Sequence, residues 1–465
     1  MTGNKAIKSG IWYTVSNFIV RAIGFITTPI FTRLLTKSEF GEFSNFITWT
    51  SIILIVTSLN LESSLIRARY DFEDSLNDYV FSMMILSALS TAVWFVVFLL
   101  SGSFFCDAFS MSREEVDAMF LYLLFVPFVN LFQAAERYKF KYKMTVLTSM
   151  AISVGSSLLS VVLVIAMPER LRGRIIGYIL PTAIIGLIIL FYYSIQHSRV
   201  HFIYWKYALP FALPFIPHLL AMLLLGGMDK VMINKMCGAE DLALYSLAYS
   251  VGSLITILVN SINNAYSPWL GEKLSNEDYK KIKRVSFPYA FTFSLVGSAA
   301  VLVTPEVLLI MGGHSYLDAM YVMPPVAAGC IMQFLYCMYV NVEQYEKKTI
   351  GMAIASVIAA ALNYVLNYIF ILKFGYIAAA YTTYIGYLSL LLMHMFLVKR
   401  IGMSYVYNNR KILITALIIS IVIFLYNFIL DKPIVRYFVL SIYCVAIFIF
   451  AKKHRSTIKE IIKRK

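Results

Sequence analysis

The chain has 465 residues, 60% of them hydrophobic and 14% charged, with mean hydropathy +0.75 and a formal net charge of +15. Soluble domains carry about 25% charged residues, so this composition excludes a soluble globular protein, and membrane topology accounts for the positive charge without nucleic acid. The five cysteines (Cys106, Cys237, Cys330, Cys337, Cys444) form no Cys-x-x-Cys and no Cys/His cluster, so they are expected to be apolar fillers, with no metal and no cofactor.

Fourteen apolar segments follow one another at residues 11–33, 41–62, 79–101, 116–134, 145–167, 175–195, 207–233, 242–264, 286–310, 316–341, 349–372, 375–398, 412–430 and 434–451. Each is long enough to cross a bilayer core, which takes about 20 residues at 1.5 Å of rise. Lys5 and Lys8 precede a first segment too long for a signal-peptide core, with no small-residue cleavage site after it. That helix is therefore expected to stay as a span.

The first span carries Arg21 in its middle, about ten residues from either end and too deep for easy snorkelling. Thr14, Asn17, Arg21, Gly24, Thr28 and Thr32 succeed each other at spacings of three or four, which places them on one helical face. Facing lipid, Arg21 would cost about 3 kcal/mol on insertion scales. It should therefore pair with a carboxylate of a neighbouring helix or line a wet path for something anionic.

An even number of spans puts both termini on one side. Lys and Arg concentrate in the segments that are cytoplasmic if the N-terminus is: Arg137 to Lys143, Lys280 to Arg284, and the tail from Lys452 to Lys465. Their simplest role is to fix topology and touch anionic lipid. Arg170, Arg172 and Arg174 run against the rule in the outer loop between the fifth and sixth spans. The outer loops are short, the longest spanning residues 102–115, and leave no room for a catalytic domain. The inner connection 265–285 reads as the link between two halves.

The halves repeat. Residues 32–44 align with residues 234–246 at an offset of 202, matching Arg33 with Lys235, Glu39 with Asp241, Phe43 with Tyr245 and Ser44 with Ser246. Lys143 and Lys348 both open long spans. An even number of spans between copies keeps them in one orientation, which predicts two parallel six-helix lobes, 1–203 and 204–400, a transporter architecture. Residues 401–465 add two further spans and a basic tail.

The seventh span opens with Pro210, Pro214 and Pro217 on one face, which removes backbone donors and predicts a bend or a break. The break is either a packing kink or a hinge. His218, Met222, Leu225 and Asp229 share a stripe there, with Lys230 beside it. Asp229 and Lys230 are an ion pair near the outer surface or a substrate or coupling contact. The eighth span carries Tyr249, Ser253, Thr256, Asn260 and Asn264 at helical spacing, and Asn363 and Asn367 sit one turn apart in the eleventh. Such residues are interhelical glue or a cavity wall, and the length of the stripe favours the wall. Glu62 closes the second span at the inner mouth and is a coupling or gating candidate. Arg67 and Arg69 follow it, either as topology determinants or as an entrance for phosphate, which the guanidinium fork suits. No nucleophile–base pair or glycine-rich phosphate loop stands out, so the expectation is a transporter and no enzyme.

The run from Ala208 through Pro210, Pro214, Pro217, His218, Asp229 and Lys230 to Tyr249 resembles the central signature of the Wzx-type polysaccharide flippases. So do the segments at residues 264–269, 316–319, 347–349 and 373–381, and the N-terminal 32–41. The likeness spans Lys8 to about Arg400 and identifies the chain as a member of the multidrug/oligosaccharidyl-lipid/polysaccharide (MOP) exporter superfamily.

The resemblance implies an all-α, MATE-like integral membrane protein of about fourteen helices whose two lobes open a central cavity alternately to either side. Wzx-type members move undecaprenyl-diphosphate-linked oligosaccharide repeat units to the outer leaflet of the bacterial cytoplasmic membrane for O-antigen, capsule or related polymers, alongside polymerase and chain-length partners. In the related lipid II flippases an arginine of the first span helps hold the diphosphate, and Arg21 matches it in kind and depth. The deeper basic residues of those relatives have no clear counterpart here. The two extra C-terminal spans resemble helices that help form a lipid-tail groove there. Arg21, Asn17, Arg67, Arg69, Tyr249, Asn260, Asn264 and His218 are the expected substrate contacts; Glu62, Asp229, Lys230, Pro214 and Pro217 are the expected coupling or gating residues. The rivals are a cation-coupled drug exporter of the same superfamily, which would want an acidic cavity, a lipid II flippase, and a membrane polymerase or ligase, which would want a large outer loop.

Overall fold

The computed structural model describes residues 2–139, 142–196 and 199–453, and all regular structure in them is helical. The chain forms α1 (Thr2–Leu34), α2 (Lys37–Thr57), α3 (Leu65–Asp71), α4 (Leu76–Leu100), α5 (Phe104–Phe109), α6 (Arg113–Tyr138), α7 (Tyr142–Ala166), α8 (Arg170–Ile195), α9 (Phe202–Ala212) and α10 (Ile216–Cys237). It continues with α11 (Ala239–Ser275), α12 (Tyr279–Val301), α13 (Thr304–Gly312), α14 (Met323–Tyr345), α15 (Thr349–Phe374), α16 (Tyr376–Arg400), α17 (Asn409–Leu425) and α18 (Pro433–Lys453).

Eleven helical stretches are long and apolar enough to cross a membrane, and the pair α12–α13, bent by 52°, makes a twelfth. The other two of the fourteen expected spans fall in α1 and across α9–α10. Both are helical, and α1 runs unbroken from Thr2 to Leu34. The other is broken: α9 stops at Ala212, residues Leu213–Phe215 form a single tighter turn, and α10 starts at Ile216. Pro214 lies inside this turn and Pro217 in the first turn of α10, where their missing N–H groups cost no helical hydrogen bond.

The chain divides into two compact units, Met1–Lys235 and Met236–Lys465; the boundary expected at 203 and 204 lies one span earlier. The repeat is visible in local geometry. Thr36 caps α2, its hydroxyl accepting the Glu39 amide while the Glu39 carboxylate accepts the Thr36 amide. Its counterpart at offset 202 is Gly238, which starts α11 at φ +98°, a conformation that favours glycine. Within the first unit α8 packs along α6 and α7, and α6 along α4; within the second α16 packs along α14 and α15, and α14 along α12. The same neighbours recur in the same order, which is what a parallel repeat requires.

The arginines that run against topology in the outer loop are each engaged. Arg170 donates to the Leu34 carbonyl at 2.6 Å, closing the C-terminal end of α1 where a cation is favoured. Arg172 pairs with Glu114 at 3.4 Å and Glu169 at 3.5 Å. The Arg174 guanidinium lies over the rings of Phe31 and Phe43 at 3.6 and 4.3 Å. The α7–α8 contact beside them is close because Gly173 and Gly177 face α7: a Cβ on Gly177 would lie 2.4 Å from Ser160 Cα.

The two C-terminal helices dock on the second unit, α17 against α12 and α14, and α18 against α12. Arg436 of α18, only 3% exposed, makes a two-pronged pair with Glu306 of α13 and donates to the Leu302 carbonyl at 2.6 Å. Ser298 of α12 joins the hydroxyls of Tyr426 and Tyr443 at 3.0 and 3.1 Å. All five cysteines are free. Removing one member of a buried pair costs about 3–5 kcal/mol, and Glu306 stays about one-third exposed, so Glu306→Gln is expected to cost on the order of 2 kcal/mol. Thermal unfolding in detergent should then begin at lower temperature, and a native-like melt would assign α18 anchoring to its apolar contacts alone.

Candidate functional site

Arg21 is exposed on α1, and no hydrogen bond or ion pair reaches it among the described residues. The rest of its face differs from the expected donor stripe. Thr28 donates its hydroxyl to the Gly24 carbonyl at 2.8 Å, and Thr32 donates to the Thr28 carbonyl at 3.2 Å. These hydroxyls are satisfied inside the helix, so the described part of the stripe offers one uncommitted polar group, the guanidinium. The side chains of Thr14, Asn17, His218, Met222 and Leu225 lie outside the described residues.

Arg67 and Arg69 lie on α3, in the connection between α2 and α4. Arg67 is exposed and pairs with Asp71 at 3.3 Å; Arg69 lies over the Tyr70 ring at 4.4 Å. Asp71 also accepts the Tyr207 hydroxyl at 2.6 Å, which ties α3 to α9, the helix that leads into the proline break. Around it Phe72, Tyr79, Tyr204 and Tyr207 pack ring to ring at 4.9–6.1 Å. One of the two arginines is thus partly neutralised by a neighbour that the sequence did not single out.

Glu62 sits past the end of α2 beside Ser58, Pro127 and Asn130, around a cavity of about 10 Å³, the size of one water. Burial pushes its carboxyl up from 4.5, and the positive charge of Arg137 pulls the other way. Pro127 cannot donate to the Leu123 carbonyl, and the Thr91 hydroxyl approaches that carbonyl at 3.5 Å instead.

In α10, Asp229 is buried at 2% exposure and accepts the Lys230 amide at 2.9 Å, while the Lys230 side chain is half-buried. In the second unit Tyr249 is half-buried with its ring 4.8 Å from that of Tyr245, whereas Ser253, Asn260 and Asn264 are exposed. This face of α11 is turned away from the core of its own unit. Asn363 and Asn367 are a correction: both are buried, and they bond to each other and to Thr383 and Thr382 of α16. They join α15 to α16 and form no wall of a cavity, because each amide is used up by partners one helix away.

Two features escaped the sequence reading. A cavity of about 530 Å³ in the first unit is lined by Glu39, Glu42, Glu114, Glu115, Glu169 and Arg172, from the starts of α2 and α6 and the turn between α7 and α8. The acid residues come from three separate segments, so no local motif announced them. The second is a buried pair, Glu343 with His394, joining α14 to α16 at 2.9 Å. An ionisable residue inside an apolar helix was the available signal, but the tenth span was expected to end at 341, before Glu343.

Glu62 gives a signed prediction. A carboxyl raised by burial costs folding stability above its folded-state value, and the cost vanishes below 4.5, where the unfolded group is protonated too. Glu62→Gln is therefore expected to raise the unfolding temperature at neutral pH and to leave it unchanged below pH 4.5. A loss of stability at neutral pH would mean that the ionised carboxylate holds the fold through Arg137.

The model of the polysaccharide biosynthesis protein family matches residues 6–273, more than half of the chain, and the MatE family model matches residues 214–369. An Lsg-locus protein of Haemophilus influenzae is 22% identical over 361 residues, covering 74% of this chain and 86% of that protein. An uncharacterized membrane protein of Methanocaldococcus jannaschii is 20% identical over 96% of this chain and 94% of its own length. Among solved structures, the lipid II flippase MurJ in an inward closed conformation superposes with TM-score 0.68 over 96% of this chain and all of that one, at 14% identity. An inward-facing multidrug resistance MATE family transporter of the MOP superfamily superposes with TM-score 0.62 over 83% and 95%, at 15% identity. With the helical repeat in place, the family-model match fixes the family: the chain belongs to the polysaccharide biosynthesis protein family, and its fold is that of the lipid II flippase and MATE transporter structures.

Proposed function

We propose that the protein moves undecaprenyl-diphosphate-linked oligosaccharide repeat units from the inner to the outer leaflet of a bacterial cytoplasmic membrane, for the assembly of surface polysaccharide. The observation that carries this reading is Arg21, a permanent cation near the middle of α1, exposed and without an ion-pair partner among the described residues. A diphosphate headgroup bearing sugars cannot cross hydrocarbon unaided, while its polyprenyl tail can remain in lipid. A fixed guanidinium on an exposed face supplies the fork of donors that a diphosphate needs.

In this scheme residues 1–203 and 204–400 are the lobes that alternate access, 401–465 is an appended helical pair, and both termini are cytoplasmic. Arg67 and Arg69 gather the headgroup at the inner mouth. Arg21 and Asn17 hold it in passage, and Tyr249, Asn260, Asn264 and His218 meet sugar. Asp229, Lys230 and Glu62 take part in coupling, and the turn at Pro214 and Pro217 is the hinge. The substrate is handed on to polymerase and chain-length partners. A drug exporter for cations gains some support from the acidic cavity of the first unit. That cavity lies at helix ends, however, and Arg172 already pairs with two of its carboxylates.

The test follows leaflet crossing of undecaprenyl-diphosphate oligosaccharide in proteoliposomes. Arg21→Ala is expected to lower the rate at least about 100-fold, the loss of one charge-assisted contact of about 3 kcal/mol, with the protein still folded. Arg21→Lys should recover part of it. Equal rates for native and Arg21→Ala protein would overturn the role of Arg21. No crossing by folded native protein, together with export of a cationic dye, would replace the flippase by the drug exporter.

A further inference from the structure

Glu343 and His394 are the most enclosed ionisable contact among the described ion pairs, 1% and 2% exposed, with Glu343 Oε1 and His394 Nδ1 at 2.9 Å. Glu343 lies two residues before the end of α14, and His394 lies in the last third of α16. The second carboxylate oxygen, Oε2, is buried and has no hydrogen-bond partner among the described residues. The Tyr336 ring lies nearly parallel to the imidazole, with centroids 5.6 Å apart at 16°, and Tyr387 stacks on Tyr336 in turn at 6.2 Å.

The packing of α14 on α16 does not need this pair. Apolar residues of similar volume hold two helices as well as a buried ion pair does, and an unsatisfied buried oxygen makes the pair dearer still. A carboxylate and imidazole enclosed near the ends of two apolar helices, with one empty acceptor, is instead a place to keep a proton.

Among the described residues no other charged side chain pairs with Glu343 or His394. On α14 the titratable neighbours are Tyr336 and Cys337, with Tyr339 committed to Asn409 at the start of α17. From α11, Asn263 reaches α14 at Asn341 and is neutral. From α15, Tyr364, Tyr368 and Lys373 are exposed, and its buried polar groups on α16 are amides. From α12, Tyr289 lies against Phe334, and the basic cluster Lys280 to Arg284 stands at the start of that helix. On the linker after α16, Tyr407 donates to the Met338 carbonyl. Lys347, Lys348, Lys399 and Arg400 follow at the helix ends, and none of them forms an ion pair with Glu343 or His394 among the described residues.

We propose that Glu343 and His394 form the proton-binding site of the transporter, exchanging one proton with water in each transport cycle. The step balances simply: hydronium gives its proton to the pair and leaves as water, the pair rising from neutral to one positive charge, and release is the reverse. A charge gained between α14 and α16 disfavours their dry packing and favours a state in which the contact is hydrated, which links occupancy to conformation. The coupling to transport rests on the flippase reading above; the proton site itself does not.

Infrared difference spectra of the purified full-length protein, between about pH 5 and about pH 8, test the site directly. The native protein should give a carboxylic-acid carbonyl signal that disappears in Glu343→Gln and moves in His394→Gln. The same spectrum from native protein and folded Glu343→Gln overturns the proposal. If either variant elutes as aggregate, Glu343→Leu combined with His394→Leu keeps the helix contact apolar and serves instead. In proteoliposomes, lipid-linked oligosaccharide should drive proton movement read by an internal pH dye, at least about tenfold slower in Glu343→Gln. Unchanged dependence of crossing on the pH gradient in both single variants overturns the coupling. A Glu343 signal in a native protein that moves no lipid-linked oligosaccharide upholds the proton site and removes the flippase reading.

Discussion

A formal charge among packed apolar helices must be paired, stacked on a π face, or kept in contact with water, because burial without a partner costs several kcal/mol. Most of this protein's unusual features are answers to that constraint. Arg436 is answered by Glu306 and the Leu302 carbonyl, and this anchors the last helix. Arg174 is answered by two phenyl rings, Phe31 and Phe43, from α1 and α2. Glu343 is answered by His394, on one of its two oxygens only. Arg21 alone of these is answered by exposure.

That contrast separates charges spent on packing from one left open to solvent. The structural arginines sit where helices meet, Arg436 with donors on Glu306 and the Leu302 carbonyl and Arg174 stacked on two rings, so their removal should be felt as lost packing. Arg21 uses none of its donors on described residues, so the described packing gives no reason for its presence, and the proposed contact with a diphosphate rests on that. The same logic reads the amides. Asn363 and Asn367 close a network with Thr382 and Thr383, whereas Asn260 and Asn264 stay exposed on α11. Residue type and spacing were alike in both cases; only the neighbouring helix distinguishes them.

The duplication explains why two compact units form from sequences that share few identities. What repeats is a helix stop, a cap and an order of packing. Thr36 performs the start of α2 with a side chain, and Gly238 performs the start of α11 with a backbone conformation. Both satisfy the need to end one helix and begin another within a few residues at the membrane surface. The proline break between α9 and α10 uses the same economy, placing the missing donors at a turn that has no helical use for them.

The all-helical fold, nearly all the spans, the repeat and the broken helix before Asp229 were legible in the amino-acid sequence, because apolar periodicity, proline and capping act over a few residues. So was the position of Arg21 at mid-span, which is a matter of counting. What the sequence left open was which polar residues are consumed by neighbours. The Asp71 carboxylate beside Tyr207, the outer arginines on Leu34, Glu114 and two aromatic rings, and the Glu343–His394 contact all join residues far apart in the chain. Local pattern decides that a side chain lies at a given depth on a given face. Tertiary packing decides whether its hydrogen bonds are already spent, because the partner comes from another helix and no spacing rule names it.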